Sequence, residues 1–130
     1  VDPWRTAPGL GTICIVRPQS FGALATALHF DNRQLVGATQ GARVYFCYRV
    51  QPGWHRLMAR TDNDVFLDVS VPAGGRRFVQ MVLRVGPDAL RAVSEQRARA
   101  LLSGLTYVVT EPTRRTLVAP DRRPIPAPRI

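Results

Sequence analysis

The clearest pattern in the chain is the alternation of apolar and polar side chains through its middle third. In "RVYFCYRV" (Arg43–Val50), Val44, Phe46, Tyr48 and Val50 share one face, and Tyr45, Cys47 and Arg49 share the other. That is the period of an extended strand. After "QPG", Arg56, Met58 and Arg60 alternate with His55, Leu57 and Ala59. After "DND", Val65, Leu67, Val69 and Val71 alternate with Phe66, Asp68 and Ser70. "RRFVQMVLRV" (Arg76–Val85) is a longer strand, apolar on both faces near its centre. Earlier, "TICIVR" ends at Pro18, and "TALHF" and "LVGA" are short strands bounded by the turn sequences "DNRQ" and "TQGA". Strands recurring roughly every 8–12 residues with turns between them indicate a sandwich or barrel. The expected core is Val44, Phe46, Tyr48, Val65, Leu67, Val69, Val79, Met81 and Leu83.

The period then changes. "GPDALRAVSEQRARALLSG" predicts one helix over 88–103, with Asp88 as N-cap and Gly104 just past its end. Leu90, Val93 and Leu101 fall near one helical face with Ala100 at its edge, and Glu95 and Arg99 form an i,i+4 pair. "LTYVVTE" (Leu105–Glu111) reads as a last strand. The expected fold is therefore mainly β: a small β-sandwich of about seven to eight strands with one late α-helix. It occupies 11–111, after a flexible Pro- and Gly-rich lead-in over 1–10. A tail over 112–130 carries five of the eleven prolines and has no core-forming period. The chain opens on Val1 rather than methionine, so the lead-in reads as part of a processed or truncated product. It suits a tether to a membrane anchor and equally an arbitrary boundary.

At 130 residues, one ordinary core is feasible. No apolar run approaches the ~18 residues needed to span a bilayer as a helix. Charge adds more. Eighteen basic residues stand against nine acidic ones, for a formal net charge of +9. All eighteen are arginine, which points to a GC-rich genome, and they are scattered rather than blocked. A general, salt-screened attraction to anionic surfaces follows. This scatter argues against dedicated nucleic-acid binding.

Candidate chemistry is sparse. The acidic residues sit mostly in turns or singly in strands, and Asp62 and Asp64 in "TDND" read as a polar hairpin turn rather than a calcium loop. His29 and His55 are the only histidines, and no metal-ligand spacing, nucleophile motif or nucleotide-binding loop is present. Hence no catalytic, cofactor-binding or metal residues are expected, and no enzyme. Cys14 and Cys47 both lie in strand-like runs; they are a disulfide if the protein is exported, or otherwise two small buried apolar residues. In "QPGWH", Pro52-Gly53 makes a tight turn with a positive φ at the glycine. The parity of His55 matches Leu57 and Ala59, so its ring is expected at the rim of the core side, pinning a hairpin corner. The candidate partner-binding residues are Trp54, His55, Arg56 and Arg60.

The segment "FDNRQLVGATQGARVYFCYRVQPGWHRLMAR" resembles PEGA-like domains and a family of uncharacterised bacterial lipoprotein domains. Asp31 matches the Asp of their Asp-Gly turn, with Asn32 in place of the Gly. Gly37 matches a later Gly, and Pro52, Gly53 and His55 match a Pro-Gly-x-His. "RPQSF" (Arg17–Phe21) is similar to the opening of that lipoprotein family. The resemblance covers about Gly11 to Val85. It implies a small sandwich on an exported, often lipid-anchored protein, and no catalytic residues. The expectation is thus a non-enzymatic module of the periplasm or outer-membrane surface that binds a protein or an anionic envelope polymer. The alternative is an OB-like single-strand nucleic-acid binder using Tyr45, Phe66 and Trp54 as stacking platforms.

Overall fold

The computed structural model describes residues 7–18, 26–41, 43–82, 88–102 and 105–107. Two sheets pack face to face. One has five strands in the order β8-β7-β1-β4-β9: β8 (Ala89–Val93), β7 (Arg76–Val82), β1 (Gly11–Arg17), β4 (Val44–Val50) and the two-residue β9 (Thr106–Tyr107). The other has four, in the order β3-β2-β5-β6: β3 (Gln34–Gln40), β2 (Thr26–Asp31), β5 (Gly53–Arg60) and β6 (Asp64–Val71). The mainly-β sandwich with one late helix is therefore the observed fold. The five-stranded sheet is mixed: β1 runs antiparallel to β4 and parallel to β7.

Alternation explains both faces of β1 and β4. Ile13, Ile15, Phe46, Tyr48 and Val50 point into the inter-sheet core, where they meet Leu57, Val69, Val79 and Met81. Cys14, Val16, Tyr45 and Cys47 point the other way and lie beneath the helix α1 (Glu95–Leu102), against Ala98 and Leu102. Of the expected core, Val44, Phe46, Tyr48, Val69, Val79 and Met81 are buried. Val65 and Leu67 are only partly buried, because β6 is an edge strand whose inner side has one neighbour. Leu83 lies outside the described residues.

The helix is shorter than the sequence predicts. Residues Ala89–Val93 form β8, which adds to the edge of β7 with Leu90 opposite Met81. Leu90 and Val93 satisfy a helical period, but the open edge of β7, distant in sequence, offers backbone partners that a local helix cannot match. The N-cap is Ser94, whose Oγ accepts the Arg97 N–H at 3.1 Å. Asp88 instead accepts a hydrogen bond from the Thr61 hydroxyl at 2.8 Å. Ala98, Leu102 and Leu101 face the sheet, and Ala100 is exposed. Glu95 pairs with Arg99 as expected, at 3.1 Å, and also with Arg76 on β7, which ties the helix to the sheet.

The end of the lead-in is held: Leu10 accepts from the Gly74 N–H at 2.7 Å, and its own N–H bonds the Ala7 carbonyl. Residues 1–6, the "QSF" of the second matching segment, and the tail over 112–130 lie outside the described residues.

Candidate functional site

The outer faces of the two sheets differ. That of the five-stranded sheet is covered by α1. That of the four-stranded sheet is bare among the described residues, and the three exposed large apolar side chains, Leu28, Leu35 and Phe66, all stand on it.

Strand register builds this face. Leu35 pairs with Phe30, Phe30 with Met58, and Met58 with Phe66, so one apolar row crosses all four strands. A bulge makes the row possible. His29 pairs with Gly37 but Phe30 with Leu35, which leaves Val36 as an extra residue on β3. Without it, Leu35 would fall on the inner face. Gly37 is the sequence signal, since a glycine inside a strand often marks a bulge.

Flanking rows carry the charges. Arg56 makes a two-pronged pair with Asp68, at 2.7 and 3.0 Å. Arg60 pairs with Asp64 at 3.0 Å and holds its guanidinium 5.4 Å from the centre of the Phe30 ring, a cation–π contact. Together Phe30, Asn32, Arg33, Arg56, Met58, Arg60 and Phe66 line a groove of about 450 Å³.

The groove's end is a two-residue hairpin turn. Asn32 and Arg33 both have positive φ, 46° and 73°, the pattern of a type I′ turn. Asn32 tolerates this and adds bonds to β5: its Oδ1 accepts the Arg56 N–H at 2.8 Å, and its own N–H reaches the Arg56 carbonyl at 3.0 Å. Arg33 stands where glycine is the unstrained choice. It is exposed and makes no ion pair among the described residues.

Behind the face lies a sealed polar core. His55 is fully buried between the sheets. Its Nδ1 lies 2.8 Å from Asp31 Oδ1, and its Nε2 lies 2.8 Å from the Gln51 carbonyl. Both nitrogens face acceptors, an arrangement that favours the doubly protonated imidazolium. Burial alone lowers its pKa. The hydrogen bond to Asp31, that carboxylate's charge and the Gln51 carbonyl together outweigh burial, and the net shift is upward. The second Asp31 oxygen accepts from the Tyr48 hydroxyl at 2.9 Å. Burial, then the charge and hydrogen bond of Asp31, push the Tyr48 phenol well up, so it remains a donor.

A second cluster sits further along the same interface. Arg17, fully buried, donates from Nη1 to the Thr39 carbonyl at 2.7 Å. The Thr39 hydroxyl bonds His29 Nε2 at 2.9 Å. Burial first, and the Arg17 charge second, push His29 down to about 3, so it is neutral across the physiological range.

These placements decide what each expected residue can do. Trp54, Arg56 and Arg60 share the outer face. His55 points inward and pins the corner of the Gln51–Gly53 turn, where Gly53 has φ of 137°. An Asp–His pair invites a comparison with hydrolases, but here Nε2 is consumed by the Gln51 carbonyl, and among the described residues no hydroxyl or thiol hydrogen-bonds to it. Asp31, Gly37, Pro52, Gly53 and His55, the residues that carry the PEGA-like resemblance, serve the buried bond, the bulge and the turn. Cys14 and Cys47 form a disulfide; they are direct cross-strand partners with Cα atoms 4.0 Å apart. Tyr45 is buried beneath α1, away from Phe66 and Trp54. Among the described residues, no three of His, Cys, Asp and Glu converge as metal ligands, and no helix is long and apolar enough to cross a membrane.

Sequence parity placed Met58 with Arg56 and Arg60, and Phe66 with Asp68. The row through Leu35 and Phe30 needed the register. Comparison with protein-family models, curated proteins and solved structures finds no match.

Proposed function

We propose that the protein is a non-catalytic, exported binding module of the bacterial envelope, periplasmic or outer-membrane-associated, and that it works through the outer face of its four-stranded sheet. The observation that carries this reading is the apolar row Leu35–Phe30–Met58–Phe66, in register across four strands and bare among the described residues. Exposed apolar rows rimmed by polar groups mark interaction surfaces. The Cys14–Cys47 disulfide supports an oxidising compartment. The sealing of the Asp31–His55 pair between the sheets supports a structural role for it. A nucleic-acid role has less behind it: Tyr45 is covered, and Asp64 and Asp68 place carboxylates beside two of the groove's three arginines.

The test has two parts. Fractionation of cells that carry the gene locates the chain; recovery in the cytoplasm with both thiols free refutes export. Wild-type protein and Phe66→Asp are then compared as baits in envelope extract. The substitution alters a side chain that is 58% exposed, so folding is preserved. A partner retained by wild type and lost by Phe66→Asp is the expected result. Equal retention by both refutes the assignment of the face.

A further inference from the structure

We infer that the groove binds a polypeptide segment in which an apolar side chain sits beside a carboxylate, with the apolar group over Met58 between Phe30 and Phe66 and the carboxylate on Arg33. This rests on the reading of the protein as a binding module and names the chemistry that its face selects.

The floor decides the first half. Phe30 and Phe66 flank Met58 on adjacent strands. Strands lie ~4.8 Å apart, so the two aromatic positions are about 10 Å from one another. That leaves room for one side chain over the thioether, a soft surface that accepts aromatic or branched shapes. The same floor disfavours a polysaccharide. The Asn32 amide is committed to the backbone of β5, and Arg56 and Arg60 already hold Asp68 and Asp64. Sugar hydroxyls pressed onto Leu35, Phe30, Met58 and Phe66 would lose water without gaining partners.

Charge decides the second half. Arg33 is the groove arginine that makes no ion pair among the described residues. It occupies a left-handed position of a two-residue turn, where glycine would be relaxed, at φ of 73°. Strain retained at an exposed cation beside an apolar groove fits a contact that needs the guanidinium there. A second copy of this chain is a poorer occupant, because two bodies each carrying a formal +9 repel at long range. An acidic segment gains from the same field.

The probe is a short capped peptide with one phenylalanine between glutamates, titrated into the full chain and followed by NMR through the Met58 methyl and the Phe30 and Phe66 rings. Two comparison peptides replace the phenylalanine by alanine, or the glutamates by lysines. The parent peptide is expected to shift those signals and to bind about tenfold or more tighter than either comparison peptide, with affinity falling as salt rises. Phe66→Ala should cost a similar factor, and Arg97→Ala, on the exposed side of α1, should cost nothing.

The decisive variant is Arg33→Gly. It relieves the turn, so the melting temperature should rise while affinity falls several-fold; a residue with only a structural role would not separate the two. Unchanged affinity in Arg33→Gly overturns the proposal. So does equal binding of the alanine peptide, which would reduce the interaction to charge alone. So does a dimer in sedimentation equilibrium that Phe66→Ala dissociates. If an envelope partner is captured through Phe66 while the peptide fails to bind, the module reading stands and this ligand assignment falls.

Discussion

Replacing Asp31 by asparagine leaves the side-chain volume almost unchanged but removes a full charge from the centre of the fold. Asp31 is completely buried, with one oxygen 2.8 Å from His55 Nδ1 and the other 2.9 Å from the Tyr48 hydroxyl. Both partners are donors, and an amide offers one acceptor and one donor. One of the two buried donors is therefore left facing an N–H. When His55 is charged, the imidazolium also loses its counter-ion. Breaking a buried ion pair from one side costs about 3–5 kcal/mol. Against a typical domain stability of about 5–15 kcal/mol, that is a large fraction.

The cost also has a pH signature. The His55 pKa is raised in the folded state above its ordinary value, so the stabilisation is complete below that value and is lost as pH rises through the folded pKa. In Asp31→Asn both contributions of the carboxylate to the rise are gone and only the Gln51 carbonyl still opposes burial, which shifts the balance toward the neutral ring. Urea denaturation should therefore show a larger loss at about pH 6 than at about pH 8.5, on either side of the ordinary imidazole range. A loss below ~1 kcal/mol at the lower pH, or equal losses at both, would refute the ion-pair account.

Further expectations concern the other histidine, two turns and the disulfide. His29 binds its proton only near pH 3 in the folded state, so stability should fall as pH drops from 6.5 toward 3, by up to ~1.4 kcal/mol per pH unit, and His29→Gln should flatten that slope in acid titrations of unfolding. Gly53→Ala should cost ~1 kcal/mol or more in chemical denaturation, because its φ of 137° resists a Cβ; a neutral result would mean the turn relaxes. Arg33→Gly should gain about 0.5–1 kcal/mol in the same assay. Replacing Cys14 and Cys47 together by alanine opens a link across 33 positions, for which chain entropy gives ~3–4 kcal/mol; a loss under ~1 kcal/mol would show that the unlinked chain is already restricted.

Much of the fold was legible because the local signals agreed with the tertiary outcome. The alternation through Val44–Val50 is satisfied twice over, once by the inter-sheet core and once by α1. The Pro52-Gly53 corner and the inward His55 follow from turn chemistry and parity. The boundary of the helix did not, because Leu90 and Val93 fit both periods and only the distant β7 edge decides between them. Nor did the partners of His55. Nothing in "FDNR" says that Asp31 turns inward; a carboxylate before a turn ordinarily faces water, and its burial depends on Tyr48 and His55 arriving from two other strands. Nor does the end of "TICIVR" announce that Arg17 is buried against Thr39. The outer face of the four-stranded sheet was half legible. Parity puts Trp54 with Arg56 and Arg60, while Phe30 joins them only through the β2–β5 register and Leu35 only through the bulge at Val36.

The central claim is that the outer face of the four-stranded sheet, bare among the described residues, is where a partner sits. The most direct measurement places a photo-reactive phenylalanine analogue at position 66, and separately at position 97 on α1, in cells that make the protein natively. A discrete adduct from position 66, absent from position 97 and suppressed by Arg33→Gly, is the predicted result. No adduct from position 66, or the same adduct from both positions, would contradict it.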